Sequence, residues 1–314
     1  MTARVLVAGD ANLDLVLRGD VEPRFGQVEQ LLDSADLVLG SSAGICATGL
    51  ARLGVATALV AAVGDDHLGE RTRRLLADEG VDTSGLVLSS AATGLSVILT
   101  GPTDRAILTF AGAITRLTSS DVDAALVRPT PTHLHVASFF LVPDFAHGLA
   151  TVLRDARARG VTTSLDPNWD PAQRWDGLVD CLPHVDVLLP NTAECLALAG
   201  LLGPSTDDLD EAGTRLATVV PVVAVKDGAA GGRVFAGDRR LATPTLAVAV
   251  VDTTGAGDSF DAGFLAAWTE GRSLDECLRW GVAAGALSTR ASGGTAAQPD
   301  RADLLAALGR GETR

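Results

Sequence analysis

The run Val251-Asp-Thr-Thr-Gly-Ala-Gly-Asp258 sets two glycines and a carboxylate at the start of a helical pattern. Backbone N–H groups of Gly255, Ala256 and Gly257 at a helix N-terminus point at a negative oxygen, and the positive end of the helix dipole reinforces them. Glycine is wanted there because a side chain would hold the anion away. A dinucleotide-binding turn has related spacing, but Phe260 stands where its third glycine belongs, and the run lies near the C-terminal end of the chain. Asp258 separates the two chemistries. Beside a resting pyrophosphate a carboxylate only repels. Beside an acceptor hydroxyl it can orient the nucleophile and take its proton while the N–H groups stabilise a transferring phosphoryl group. A helix N-terminus is expected to keep Asp258 ionised and weakly basic, which suffices for a loose phosphoryl-transfer transition state. The competing reading is an ordinary helix start that Asp258 merely caps.

Other reactive side chains narrow the field. Of 25 basic residues Lys226 alone is lysine, which excludes the Gly-x-x-x-x-Gly-Lys phosphate loop and Schiff-base chemistry except at Lys226 itself. Cys46, Cys181, Cys195 and Cys277 lie far apart without a Cys-x-x-Cys pair and read as small buried apolar residues. His133 and His135 alternate along one strand with no third ligand nearby, so they read as packing residues, not metal ligands. A net charge of −14 with scattered basic residues excludes a nucleic-acid footprint. No stretch approaches the roughly 20 apolar residues of a membrane span. The N-terminus carries no signal-peptide pattern, and the expected location is the cytoplasm.

These groups need elements to hold them. Short apolar runs at 4–9, 56–62, 132–137, 161–165, 185–189 and 221–226 read as strands, and Thr245–Val250 reads as strand-like ahead of the glycine turn. Helical patterns fall near 43–53, 67–79, 144–159, 172–181, 191–200 and 207–218, then at 258–271, 274–290 and 301–308. Such alternation predicts a mostly parallel sheet with helices on both faces. Gly54, Gly80 and Gly160 stand where left-handed helix ends are wanted, and Ser273 with Glu276 has capping-box spacing. Period-2 segments near 11–40 and 92–113 predict a small β lid inserted in one domain spanning 1–314. Its open strand edges are able to pair two subunits as a homodimer.

The pattern D-T-T-G-A-G-D-S-F-x-A-G resembles, residue for residue, the C-terminal signature of the ribokinase-like (PfkB) carbohydrate kinases, and the resemblance covers the whole chain. It implies a three-layer α/β fold, ATP and Mg2+ as cofactors, and transfer of a phosphoryl group to a hydroxyl of a sugar with Asp258 as base. Gly9-Asp-Ala-Asn12-Leu-Asp14 is similar to the family's first strand end, whose aspartate binds substrate hydroxyls, which implies that role for Asp14 beside Asn12. Asp166-Pro-Asn168 and Pro190-Asn191-x-x-Glu194 resemble segments on the nucleotide side. The resemblance implies that Asn191 and Glu194 organise magnesium and phosphate, Glu194 through water. The same spacing also makes a helix N-cap with its capping-box glutamate, and both readings stand. Lys226-Asp227-Gly228 is similar to the family's loop beside the nucleotide. Backbone oxygens of Asp252 and Thr254, with the turn from Arg290 to Gly294, correspond to a monovalent-cation site, implying K+.

Departures bear on the acceptor. Where many members have Gly-Gly-x-x-x-Asn, this chain reads Gly40-Ser41-Ser42-Ala-Gly-Ile45, so serine replaces the second glycine and Ile45 the asparagine. Phe139 and Phe140 stand where ribokinase itself places an acidic residue, either as core or as pocket wall. Arg18, Arg24 and Arg105, in or near the lid, read as solvated side chains, with one of them able to reach a phosphorylated substrate. The expected function is therefore a sugar kinase. A nucleoside kinase of the same fold is the alternative, and a non-catalytic sugar-binding protein a third reading that the intact Asp258, Gly255 and Gly257 count against.

Overall fold

Alternate residues of the first strand face two different cores. In the computed structural model, which describes residues 4–101, 105–127 and 131–311, β1 (Arg4–Ala8) turns Val5 and Val7 into one apolar cluster and Leu6 and Ala8 into the other. A strand covered on both faces needs apolar residues at every position, and this is why the strand runs lack polar alternation. The N-terminal residues 1–3, read above for a signal pattern, lie outside the described residues, as do 102–104 within the expected lid.

The chain then enters β2 (Leu13–Gly19), β3 (Leu32–Leu39) and α1 (Ser42–Arg52). Next come β4 (Ala56–Val60), β5 (Ala62–Gly64), α2 (His67–Asp78), β6 (Val87–Ser89), β7 (Leu95–Thr100) and β8 (Arg105–Phe110). After α3 (Ser119–Val127) follow β9 (His133–Val136), α4 (Pro143–Ala146), α5 (Leu149–Ala158) and β10 (Thr162–Leu165). The remainder is β11 (Val187–Leu188), α6 (Thr192–Leu201), α7 (Leu209–Leu216), β12 (Val222–Lys226), β13 (Gly232–Ala236) and β14 (Arg239–Thr243). The helices α8 (Ala256–Thr269), α9 (Leu274–Ser288) and α10 (Arg301–Gly311) close it.

The main sheet runs β14-β13-β12-β11-β10-β9-β1-β4. From β12 to β4 every pairing is parallel, and the β13–β14 hairpin adds an antiparallel edge. Residues from α1, α8, α9 and α10 build the cluster on one face, and residues from α3, α5, α6 and α7 the cluster on the other. A separate four-stranded sheet, β3-β2-β7-β8, forms the lid. All six residues of β8 are exposed, which leaves the open edge that the homodimer reading requires. Gly54, Gly80 and Gly160 have φ of 84°, 84° and 79°, as their helix-end positions demand, and Ser273 and Glu276 form the capping box.

Three expected elements differ. No helix forms over 172–181, because the Asp170 carboxylate accepts N–H bonds from Ala172, Arg174 and Trp175 and winds the segment into turns. The helix expected over 144–159 breaks at His147 and Gly148, where a Cβ on Gly148 would stand 2.0 Å from the Ser119 hydroxyl. Thr245–Val250 joins no sheet, and the sheet edge is instead the β13–β14 hairpin, turned by Gly237-Asp238. His133 and His135 are packing groups, as expected. Thr162 and Ser164 on the next strand bond their rings at 2.7 to 2.8 Å. Burial holds their pKa values down to about 3 and about 4, so both rings are neutral.

Candidate active site

The parallel strands end together, and their carboxyl ends deliver the polar groups to one place. Asp10 follows β1, Ser138 follows β9, Asp166 follows β10, Asn191 follows β11, and Lys226 ends β12. The N-terminus of α8 faces them. Gly255 is its N-cap, with φ of 70°, and no side chain caps the helix. A Cβ on Gly255 would lie 2.8 Å from Gly294 Cα and 3.1 Å from Ile45 Cγ2, so the turn demands glycine. At Gly257 the protein makes no such demand, since a Cβ would meet Lys226 only at ordinary contact distance, 3.5 Å. An anion approaching the Gly257 N–H supplies the missing reason. The Ala256 N–H is already turned to the Thr253 carbonyl at 3.3 Å, so the cradle rests chiefly on its neighbours.

Asp258 occupies the first turn of α8, half-buried. Its pKa is raised to about 8, by burial first and then by the charge of Asp166, with Lys226 opposing and Asp10 adding. This corrects the expected weak base: loss of water and nearby carboxylates outweigh the helix dipole. Asp14 is buried and raised to about 7 by burial and by Asp10. Its carboxylate lies where a Cβ on Gly40 would stand 2.0 Å away, which explains the bare residue at 40. Asn12 is committed to its neighbours, donating to Leu13 O at 3.0 Å and to Asp14 Oδ1 at 3.1 Å. It orients Asp14.

Ser41 caps α1 at φ of 70°, a conformation that favours the glycine it replaces. Ser42 Oγ accepts from Asn168 Nδ2 at 3.1 Å, and its N–H donates to Asp10. Ile45 packs its methyl groups against Gly255 and Gly294, bracing the turn from behind. Phe139 is buried beside Phe140, ring centroids 4.9 Å apart, and Phe140 in turn meets Trp175 at 5.4 Å.

Lys226 points inward, not along the loop. Its Nζ lies 2.7 Å from Asp166 Oδ2 and 3.2 Å from Asp261 Oδ2. Burial opposes its charge, but Asp166, Asp261 and Glu194 outweigh that and hold the ammonium pKa above its usual range. Asp166 stays ionised, since Lys226 overcomes its burial, whereas burial drives Asp261 well up. Of the two carboxyl groups that meet Lys226, Asp261 is thus the one pushed toward its protonated form. Sequence reasoning missed Asp261 and Asp10. The proximity of Asp166, Asp258 and Asp261, with carboxylate oxygens within 4.8 Å of one another, joins residues far apart in the chain.

Asn191 and Glu194 form the reciprocal capping box of α6, with bonds of 3.0 and 2.8 Å. Glu194 is buried and raised to about 7, by burial and then by Asp166. Asp227 accepts from Thr192 and Arg233. Gly228, at φ of 53°, edges a cleft of about 440 Å³ walled by Leu246, Val248, Val250 and Ala286, which opens on Gly257 and Lys226. Such a slot accepts a flat apolar ring with phosphates running toward α8.

The Asp252 carboxylate takes the Thr254 N–H at 2.9 Å, the Thr254 hydroxyl at 2.7 Å, the Gly293 N–H at 3.0 Å and Arg18 at 3.1 Å. Arg105 Nη1 also lies 3.7 Å from Asp252 Oδ1.

A three-layer fold, an uncapped helix N-terminus with a carboxylate in its first turn, and an apolar cleft beside it define a phosphotransferase with an alcohol acceptor. Residues 3–301 match the model of the pfkB family of carbohydrate kinases. The chain belongs to that family. It is 34% identical to the ATP-dependent ribose-1-phosphate kinase of Halopiger xanaduensis, over 97% of both chains. Among solved structures it is similar to Arabidopsis thaliana ribokinase complexed with ribose and ATP, with a TM-score of 0.82 and 26% identity over 98% of this chain and 99% of that one. It is also similar to adenosine kinase from Sinorhizobium meliloti, with a TM-score of 0.84 and 27% identity over 99% and 100%. Among the described residues no helix is long and apolar enough to cross a membrane.

Proposed function

We propose that the chain moves the γ-phosphoryl group of ATP onto a hydroxyl of a small sugar or sugar-like molecule. The observation that carries this is the uncapped start of α8, with Asp258 in its first turn and Asp10 acting electrostatically on both Asp258 and Asp14. Asp14 accepts hydrogen bonds from acceptor hydroxyls. Asp258 takes the proton of the attacking hydroxyl, whose oxygen bonds to phosphorus as the bond to ADP breaks. The N–H groups at Gly255 and Gly257 hold the charge of the group in flight. The apolar cleft takes the base of ATP, beside Asp227 and Gly228.

Magnesium, when bound with ATP, would neutralise phosphate charge, and Glu194 would hold its waters. Backbone oxygens of Asp252 and Thr254, with the turn from Arg290 to Gly294, would hold a monovalent cation. The nucleoside-kinase reading is favoured by the Phe139–Phe140–Trp175 chain beside the Asn168–Ser42 contact. A second copy of the chain would pair at the open edge of β8.

ADP release measured over free sugars, sugar phosphates and nucleosides tests the proposal. The expected result is turnover with a sugar class that disappears in the Asp258→Asn variant. ADP release that no acceptor stimulates would refute it.

Glu194→Gln separates the two readings of that residue, since glutamine serves a capping box as well as glutamate. Helix α6 should stay intact while apparent affinity for magnesium falls by about 10- to 100-fold, the usual scale for an outer ligand-orienting group. A change confined to acceptor affinity would remove Glu194 from the nucleotide side.

A further inference from the structure

One side chain outside the nucleotide cleft joins the two helices that meet at the catalytic turn. Gln298 is buried in the segment between α9 and α10. Its Nε2 donates to Ile45 O at 3.0 Å and to Ser259 Oγ at 3.0 Å. A carbonyl oxygen only accepts, so the contact with Ile45 fixes which way the amide is turned. Ile45 is the fourth residue of α1 and Ser259 the fourth residue of α8. Ser259 follows Asp258 directly, and Ile45 packs against Gly255 and Gly294. Gln298 therefore spans the two helices beside the turn that carries Asp258.

The main chain of this residue is anchored independently of its side chain. Arg52, in the last turn of α1, donates through Nη1 to Thr295 O at 2.5 Å and to Gln298 O at 3.2 Å. The same guanidinium holds the Glu79 carboxylate at 2.6 and 2.7 Å. Room for the amide comes from Gly49, where a Cβ would stand 2.7 Å from Ala262 Cβ and 2.9 Å from Gln298 Nε2. A bare residue at 49 lets α1 and α8 approach until one amide reaches both. That amide also carries a penalty, because Gln298 Oε1 is buried and has no hydrogen-bond partner among the described residues. Methionine would fill a similar volume without stranding an oxygen, so packing alone does not call for glutamine here. Its two donated bonds do.

Those bonds set a distance that the reaction uses. The start of α1 carries the Ser42 and Ala43 N–H groups that hold Asp10, and the start of α8 carries Asp258 and the glycine turn. A base has to meet its hydroxyl at hydrogen-bond distance, and a displacement of about 1 Å costs about 10²-fold in rate. Substrate binding, spread over the cleft and the lid, senses such a shift far less. We propose that Gln298 is a positioning residue for phosphoryl transfer, holding the start of α8, and Asp258 with it, against α1 through Ser259 Oγ and Ile45 O. This rests on the kinase reading above.

A double-mutant cycle in kcat tests it. Gln298→Met removes both bonds and the stranded oxygen, and kcat should fall by about 10- to 100-fold while KM for ATP and for the acceptor stays within about 3-fold of wild type. Ser259→Ala removes one of the two bonds and should lower kcat by about 3- to 10-fold. Added to Gln298→Met it should lower kcat no further, because the hydroxyl has already lost its donor. Wild-type kcat in Gln298→Met overturns the proposal, and so does full additivity of the two substitutions or a loss carried by KM. If Gln298→Met does not fold, Ser259→Ala decides alone, a fall in kcat at unchanged KM supporting the role and no fall refuting it. If no acceptor turns over, the kinase reading fails separately. Amide hydrogen exchange then decides the role of Gln298, with faster exchange over 256–259 in Gln298→Met and none in α5 supporting it, and an unchanged profile overturning it.

Discussion

Asp258→Asn should fold, bind nucleotide and lose about 10² to 10⁴ in kcat, the range that removal of a general base produces. The asparagine keeps the shape of the first turn of α8 but takes no proton. Because burial and Asp166 raise the wild-type pKa to about 8, the competent, ionised form grows as pH rises through that value. The wild-type rate should climb toward a plateau above it, and the variant's residual rate should lack that limb. Stability carries the opposite sign. Asp258 holds its proton in the fold up to about pH 8, whereas the unfolded chain releases it near 3.8, the ordinary value for this carboxyl. The folded state therefore binds more protons across that window, and stability falls as pH rises through it. Asp258→Asn removes this loss, so its Tm should exceed that of the wild type most clearly above pH 8. Near-normal turnover in the purified variant, or a Tm below wild type at that pH, would contradict the assignment.

Lys226→Met should be the most destabilising single change near the site, by about 3 to 5 kcal/mol, because removing one member of a buried ion pair strands the other. The stranded group is Asp166, 1% exposed, whose ionised state depends on Lys226. Adding Asp166→Asn to Lys226→Met should recover part of the loss, since the uncompensated charge goes with it. A second readout is kinetic. Lys226 opposes the upward shift of Asp258, so its loss should move the alkaline limb of the rate profile to higher pH. Urea unfolding and pH–rate profiles measure the two effects. A single variant within about 1 kcal/mol of wild type, the scale of an ordinary surface change, and with an unmoved limb, would show that the cluster neither holds the site nor tunes it.

What was legible in the sequence follows from how far apart the deciding residues lie. The parallel strands read correctly because burial on two faces leaves its mark within five residues, as in Val5 to Ala8. The lid read correctly because its strands alternate. The glycine turn and Asp258 lie in one continuous run, and Gly40 with Asp14 followed from the family resemblance. The turns at 172–181 were not legible, because a helical pattern there loses to three N–H bonds gathered by Asp170. The β13–β14 hairpin left a signal in Gly237-Asp238 that the apolar pattern of Thr245–Val250 obscured. Neither the contact of Lys226 with Asp166 and Asp261 nor the raised pKa of Asp258 has a local sequence mark. Both depend on strand ends that only the folded sheet brings together.

The solitary lysine has a consequence for how this protein meets reagents and modifying enzymes. Its side chain is 11% exposed and its amine is clamped between two carboxyl groups. Acylation at that nitrogen requires a free, unprotonated amine, which the closed cluster withholds. Acetyl transfer, amine-directed cross-linking and conjugation through lysine therefore find no ready side chain on the folded surface. The extent of acylation at Lys226 instead counts how often the ion cluster opens, from a single atom with no background from other lysines. The rest of the positive surface is guanidinium, fixed in charge at every pH at which the protein works.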